Sequence, residues 1–426
     1  MAESSNMHMA EPNTRAPPCL ETTTLGPFTV PRLWTGLWQL SSPAWGTAPS
    51  GKIKREMARH VSEGYTAFDM VKSRTSSSPQ CLTLTLCPLL LSASLARVSS
   101  ISRLPRSSRL ILTPADHYGS AELLFGQYRQ SLDDPSIVVG ATKWCVFAPT
   151  TITRAVVEEG VRERNERMRS TRVDLLQFHW QNYDDKAYLD ALDHLRDLQS
   201  EGVITAIGLC NFDSIRTDEI CTHLGKGAIV SNQVQFSLID VRPLHGMADV
   251  CERHSLKLLT YGSLCGGFLA DKWLGAPEPD AYRETMTPSQ RKLDGISYIF
   301  STSYFIDGFA ILIGKHGIRG YLDMIVSAWG TWSLFQSLLR VLRTIGDRHG
   351  GVSIANVATR WVLEHSFVGA VIIGARLGVS EHTRDNLQTF AFRLTEEDFV
   401  AIEGVLKDSK GHQLIQTIGD CGSEYR

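Results

Sequence analysis

The sequence predicts a (β/α)8 TIM barrel. Three observations carry that expectation: eight short apolar runs, amphipathic stretches in most of the intervals between them, and polar residues where the runs end.

The strand-like runs are Leu33–Trp38, Thr66–Met70, Ile137–Trp144, Val173–Trp180, Ile204–Asn211, Val230–Ser237, Lys257–Leu264 and Gly369–Ala375. Each is rich in Val, Ile, Leu and aromatic residues, as a strand covered on both faces should be. Helical spacing occupies Ile53–Glu63, Ser120–Tyr128, Ile152–Met168, Leu189–Glu201, Ser214–His223, His245–His254 and Ser353–Glu364. Strict alternation implies parallel strands joined by right-handed crossovers. An open doubly wound sheet is the competing architecture, and no G-x-G-x-x-G follows any of the runs.

Composition narrows the function. The 426 residues carry 43 basic and 45 acidic side chains, a formal net charge of −2, so the chain lacks the strong positive field of a nucleic-acid binder. Hydrophobic residues make up 43% and charged residues 21%, ample for a core. Nine cysteines without a C-x-x-C pair suggest neither a disulfide framework nor a metal site, and a reducing, cytoplasmic compartment is expected. Residues 1–24 read as a disordered polar tail, 25–410 as the barrel and 411–426 as a C-terminal tail. The uncharged run Thr75–Ala96 is broken by Pro79 and Pro88, which argues against a membrane span.

Two segments break the rhythm. Val71–Pro114 contains no Asp or Glu and is dominated by Ser and Leu; Leu293–Gly320 has no clear period. Structureless connections of this length are uncommon inside a compact domain.

Chemistry in such a barrel sits where the strands end. Asp69, Lys143, His179, Asn211, Gln233, Tyr261 and Arg376 occupy successive run ends, and Tyr118 precedes the second helix. Any one of them is unremarkable. Seven in a row are not, because buried strands mostly carry apolar residues.

The runs Gly36-Leu-Trp-Gln-Leu40, Ala115-Asp-His-Tyr-Gly-Ser-Ala-Glu122, Thr142-Lys143, Asp174-Leu-Leu-Gln-Phe-His179, Gly208-Leu-Cys-Asn-Phe212 and Ser231-Asn-Gln-Val234 together resemble the aldo-keto reductase superfamily over about residues 30–410. Excising 71–114 restores a continuous family-like Phe68-Asp-Met-Ala-Asp-His-Tyr-Gly, and excising 293–320 rejoins Lys292 to Tyr321. Two excisions that each repair the pattern favour retained-intron-like sequence over lineage insertions.

The resemblance implies carbonyl reduction with NADPH, rather than NAD, and a small-molecule carbonyl or alcohol as substrate, with no nucleic-acid or membrane partner and no metal. It implies Tyr118 as the acid, Lys143 and Asp69 as its partners and His179 at the substrate oxygen. A free phenol titrates near 10, and a neighbouring ammonium lowers that value toward neutrality. For the cofactor it implies Asn211 and Gln233 at the nicotinamide amide, Tyr261 stacked on the ring, and Gly262, Ser263 and Leu264 near the pyrophosphate. It further implies Gly374, Arg376 and His382 near the 2′-phosphate and Asp385 with Asn386 at the adenine, in a segment expected to open the last helix. His382 stands where the family often has Arg, and Cys210 where Ser is common. Trp34, Trp38, Trp45, Trp144 and Trp180 are candidates for a substrate pocket, with packing the commoner role of such residues. A cofactor-binding sensor or regulatory barrel without turnover, or the product of a faulty gene model, is the alternative reading.

Overall fold

Strands buried on both faces need partners on both edges, and closure into a ring supplies them. In the computed structural model, which describes residues 20–41, 45–71, 121–280, 287, 290 and 320–426, eight parallel strands close into a barrel. They are β3 (Leu33–Gly36), β4 (Ala67–Asp69), β5 (Val139–Val146), β6 (Val173–Trp180), β7 (Ile204–Cys210), β8 (Ile229–Gln235), β9 (Lys257–Tyr261) and β10 (Val368–Gly374), the last pairing back onto β3. All eight expected strands are present, and the open-sheet alternative is excluded by closure.

An antiparallel hairpin precedes the barrel: β1 (Thr22–Leu25) and β2 (Phe28–Pro31), joined at Gly26-Pro27. The boundary expected at residue 24 therefore falls inside a strand. Gly26 has φ +56°, and a Cβ there would press into Val230. Leu25 and Val30 pack under Trp34, Ala67, Ala141, Leu175, Ala206 and Leu259, forming the floor of the barrel.

Helices α1 (Ser50–Ser62), α2 (Ala121–Arg129), α3 (Arg154–Arg167), α4 (Ala187–Ser200), α5 (Ser214–Leu224) and α6 (Met247–His254) fill the outer layer. Side chains cap the starts of α3 and α5. Thr153 accepts from the Val156 amide, and Asp213 from the Arg216 amide at 2.7 Å. Beyond β9, α9 (Ile354–Glu364) is the helix expected at Ser353–Glu364. The chain also adds elements that the one-helix-per-interval reading omits: α7 (Tyr321–Asp323) running into π-helical Met324–Trp329, α8 (Trp332–Arg348), α10 (Thr383–Leu387), α11 (Glu396–Leu406) and α12 (Leu414–Thr417). α8 buries Phe335, Leu338, Leu339, Leu342 and Ile345 along one face. Each such side chain contributes about 1.5–3 kcal/mol, which makes α8 part of the core. Thr395 and Asp398 close a capping box on α11. The segment Ser380–Asn386 thus opens the short α10 rather than the last helix.

Side chains alternate along a strand, so residues two apart share a face. Ala67, Ala141 and Leu175 belong to the barrel interior. Two residues further toward the C-terminal rim, the same face carries Asp69, Lys143 and Gln177. A polar layer therefore rests on an apolar one. The segments 72–114 and 293–319, with Tyr118, lie outside the described residues. Among the described residues no helix is long and apolar enough to cross a membrane.

Candidate active site

The polar layer is centred on one carboxylate. Lys143 Nζ lies 2.7 Å from both oxygens of Asp69 and 3.2 Å from the Met70 carbonyl oxygen. Asp69 Oδ1 also accepts from Gln177 Nε2 and Gln233 Nε2, each at 2.8 Å, and Gln233 Nε2 donates to Gln177 Oε1 at 2.8 Å. These four residues are almost wholly shielded from solvent. Burial opposes the Lys143 ammonium, yet the Asp69 carboxylate outweighs it and holds the lysine above its ordinary pKa. Lys143 therefore stays protonated at neutral pH, its charge balanced by the Asp69 carboxylate.

His179 follows Gln177 on the same face of β6. Its Nδ1 lies 2.9 Å from the Cys210 carbonyl oxygen, which can only accept, so Nδ1 carries the proton. Burial lowers the pKa of His179 to about 4, against a partial opposing effect of that hydrogen bond. The ring is neutral at pH 7. Its Nε2 is therefore a bare acceptor, buried and without a hydrogen-bond partner among the described residues.

The cofactor candidates divide by position. Asn211, just past β7, has φ +60°, and its Oδ1 accepts from the Tyr261 hydroxyl at 2.9 Å. Gln233 turns inward, its amide nitrogen committed to Asp69 and Gln177. Gly262 has φ +69°, and a Cβ there would meet the Tyr321 hydroxyl and the Gln235 side chain. Ser263 is buried and Leu264 half-buried beside it. At the same C-terminal rim Gly374 ends β10 opposite Gly36, and Arg376 begins a turn that returns to Ser380. Arg376 has no acidic partner among the described residues. Asp385 accepts from Ser353 Oγ at 3.1 Å and Asn356 Nδ2 at 3.3 Å, which ties it to the start of α9. His382 is exposed and Asn386 half-buried.

A cavity of about 420 Å3 opens beyond the ends of β5 and β6, lined by Phe147, Trp180, Gln181, Asn182, Tyr183 and Arg426. Of the five candidate tryptophans, Trp180 alone lines it. Trp34 is sealed in the barrel floor, its Nε1 donating to the Pro31 carbonyl oxygen at 2.8 Å. Trp144 packs outward against Phe178 at 5.3 Å. Trp38 and Trp45 meet edge to face at 5.0 Å. Burial pushes Cys145 up to about 11 even beside Lys143, so it is no nucleophile.

Sequence reasoning missed Gln177, although a Gln placed between Leu175 and His179 on an interior face was a readable signal. It also missed residues 419–426, read as a tail, which lie across the barrel mouth. Asp420 accepts from the Ser214 amide at 2.7 Å, and Arg426 Nη2 donates to the Asn211 carbonyl oxygen at 2.5 Å. No local pattern marks such contacts.

The family model described as Aldo/keto reductase family matches residues 32–407. The uncharacterized oxidoreductase YqkF of Bacillus subtilis (strain 168) is 25% identical over 264 residues, covering 61% of this chain and 70% of YqkF. Among solved structures, the glycerol dehydrogenase AKR11B4 from Gluconobacter oxydans superposes with a TM-score of 0.58 at 17% identity, covering 95% of this chain and 98% of that one. The aldo/keto reductase from Klebsiella pneumoniae, solved in complex with NADP and acetate, gives 0.56 at 15% identity, over 90% and 95% of the two chains.

Proposed function

Because this chain belongs to the aldo/keto reductase family, we propose that it is an NADP(H)-dependent oxidoreductase that reduces aldehyde or ketone carbonyls to alcohols, with Tyr118 as general acid. The observation that carries this reading is the buried Asp69–Lys143 pair, braced by Gln177 and Gln233, at the rim where barrel chemistry occurs.

NADPH, when bound, supplies the hydride that goes to the carbonyl carbon. The residues present fit a dinucleotide. Asn211 and Tyr261 offer an amide and a ring at the mouth. Gly262 turns the chain at φ +69° beside them, and Arg376 is a half-exposed cation with no acidic partner among the described residues. Tyr118 gives its proton to the carbonyl oxygen, and the Lys143 ammonium stabilises the phenolate left behind. Asp69 keeps that ammonium charged and aimed. His179, protonated on Nδ1, accepts from the hydroxyl of the alcohol through Nε2 and so orients the alcohol rather than acting as a second acid. Phe147, Trp180 and Tyr183 favour an aromatic substrate. The buried thiols Cys210, Cys221, Cys251 and Cys265, all unpaired, suit a reducing, cytoplasmic setting.

The test is NADPH consumption with a panel of aromatic aldehydes by the full chain. Turnover supports the reading. Saturable NADPH binding without turnover on any aldehyde would instead favour the cofactor-binding sensor.

A further inference from the structure

We infer that residues Gly419–Arg426 act as a built-in plug that occupies the nicotinamide end of the cofactor site and must be displaced when the dinucleotide binds. The inference rests on the reading of Asn211 and Tyr261 as that subsite.

Four groups assigned to cofactor or substrate are contacted by this one segment. The Tyr425 hydroxyl lies 3.0 Å from the Tyr261 hydroxyl, and its ring meets His179 edge-on at 6.1 Å. Arg426 donates to the Asn211 carbonyl oxygen at 2.5 Å and to the Tyr183 hydroxyl, with its guanidinium 3.8 Å from the Tyr183 ring centroid. Gly422, at φ +77°, lies so close to Asn211 that a Cβ would drive into the Asn211 carbonyl. Tyr425 stands against the Tyr261 hydroxyl and the His179 ring, and Arg426 against the Asn211 main chain, at the mouth that a nicotinamide bound between Tyr261 and Asn211 would have to enter.

The segment is latched, not merely draped. Arg242 is 1% exposed and grips Asp240 at 2.7–2.8 Å and Glu424 at 2.8 and 3.0 Å. Asp420 receives both the amide and the hydroxyl of Ser214 at the start of α5. These anchors lie beside the subsite, so the latch can release while the barrel stays closed. Each fraction of molecules with the plug in place is lost to cofactor binding, and the apparent affinity falls in proportion.

The experiment measures NADPH binding by quenching of tryptophan fluorescence in the full chain, in Glu424→Gln and in Tyr425→Ala, each checked for folding by circular dichroism. Alongside it, hydrogen exchange over residues 414–426 is followed with and without saturating NADPH. Glu424→Gln leaves Arg242 paired with Asp240, so it loosens the latch without stranding a buried charge, and it stands in should Tyr425→Ala misfold. The expected result is at least tenfold tighter binding by the variants and faster exchange over 419–426 when NADPH is added. NADPH binding that leaves those amides equally protected, with no gain in the variants, overturns the plug and leaves the cofactor reading intact. Absence of NADPH binding in all three folded proteins overturns the subsite assignment, and the plug with it.

Discussion

Lys143 and Asp69 form a two-oxygen ion pair at 2.7 Å inside the barrel, between neighbouring strands β5 and β4. Both side chains arrive from the same face of the sheet, one layer above Ala141 and Ala67. The pair is the point at which fold and chemistry meet, since each group is tolerable in that layer only because the other is there.

Replacing Asp69 by Asn strands a buried ammonium. The expected loss is roughly 3–5 kcal/mol of stability in urea unfolding, with turnover reduced at least 100-fold as Lys143 loses its orientation. Unchanged unfolding with normal turnover would show that the pair is incidental.

Gln177→Met removes one of three donors to Asp69 Oδ1 and the acceptor of Gln233 Nε2, at nearly the same volume. The carboxylate can then swing. The prediction is a fall in kcat of about tenfold to 100-fold with KM for NADPH little changed, because a displacement of about 1 Å near the reacting atoms carries that scale of effect. A change confined to KM for NADPH would place Gln177 in cofactor binding instead.

His179 gives a pH signature. Burial lowers its pKa from 6.5 to about 4 in the folded chain, so between those values the unfolded chain binds more protons. Its contribution to stability is complete above pH 6.5 and is lost as pH falls toward 4. Comparing urea unfolding at pH 7.5 and 4.5, the wild type should lose roughly 2–3 kcal/mol more than His179→Gln. Equal losses would mean that the ring is charged or solvated.

The strands were the most legible part of the sequence, because runs such as Gly369–Ala375 are largely buried and read as continuous apolar blocks. Asp69, Lys143 and His179 stood out as polar groups among such blocks. Gln177 was hidden by its position inside β6 rather than at its end. Helix α8 was missed because it shares its interval with α9, and β1 because its Thr-rich sequence looks like a polar tail. The docking of residues 419–426 depends on pairings such as Arg242 with Glu424, which join residues far apart in sequence and leave no local period.

The most direct measurement is single-turnover oxidation of NADPH with an aromatic aldehyde by Tyr118→Phe, beside NADPH binding to the same sample. The account predicts a rate reduced at least 100-fold with binding unaltered. A near-normal rate would contradict it.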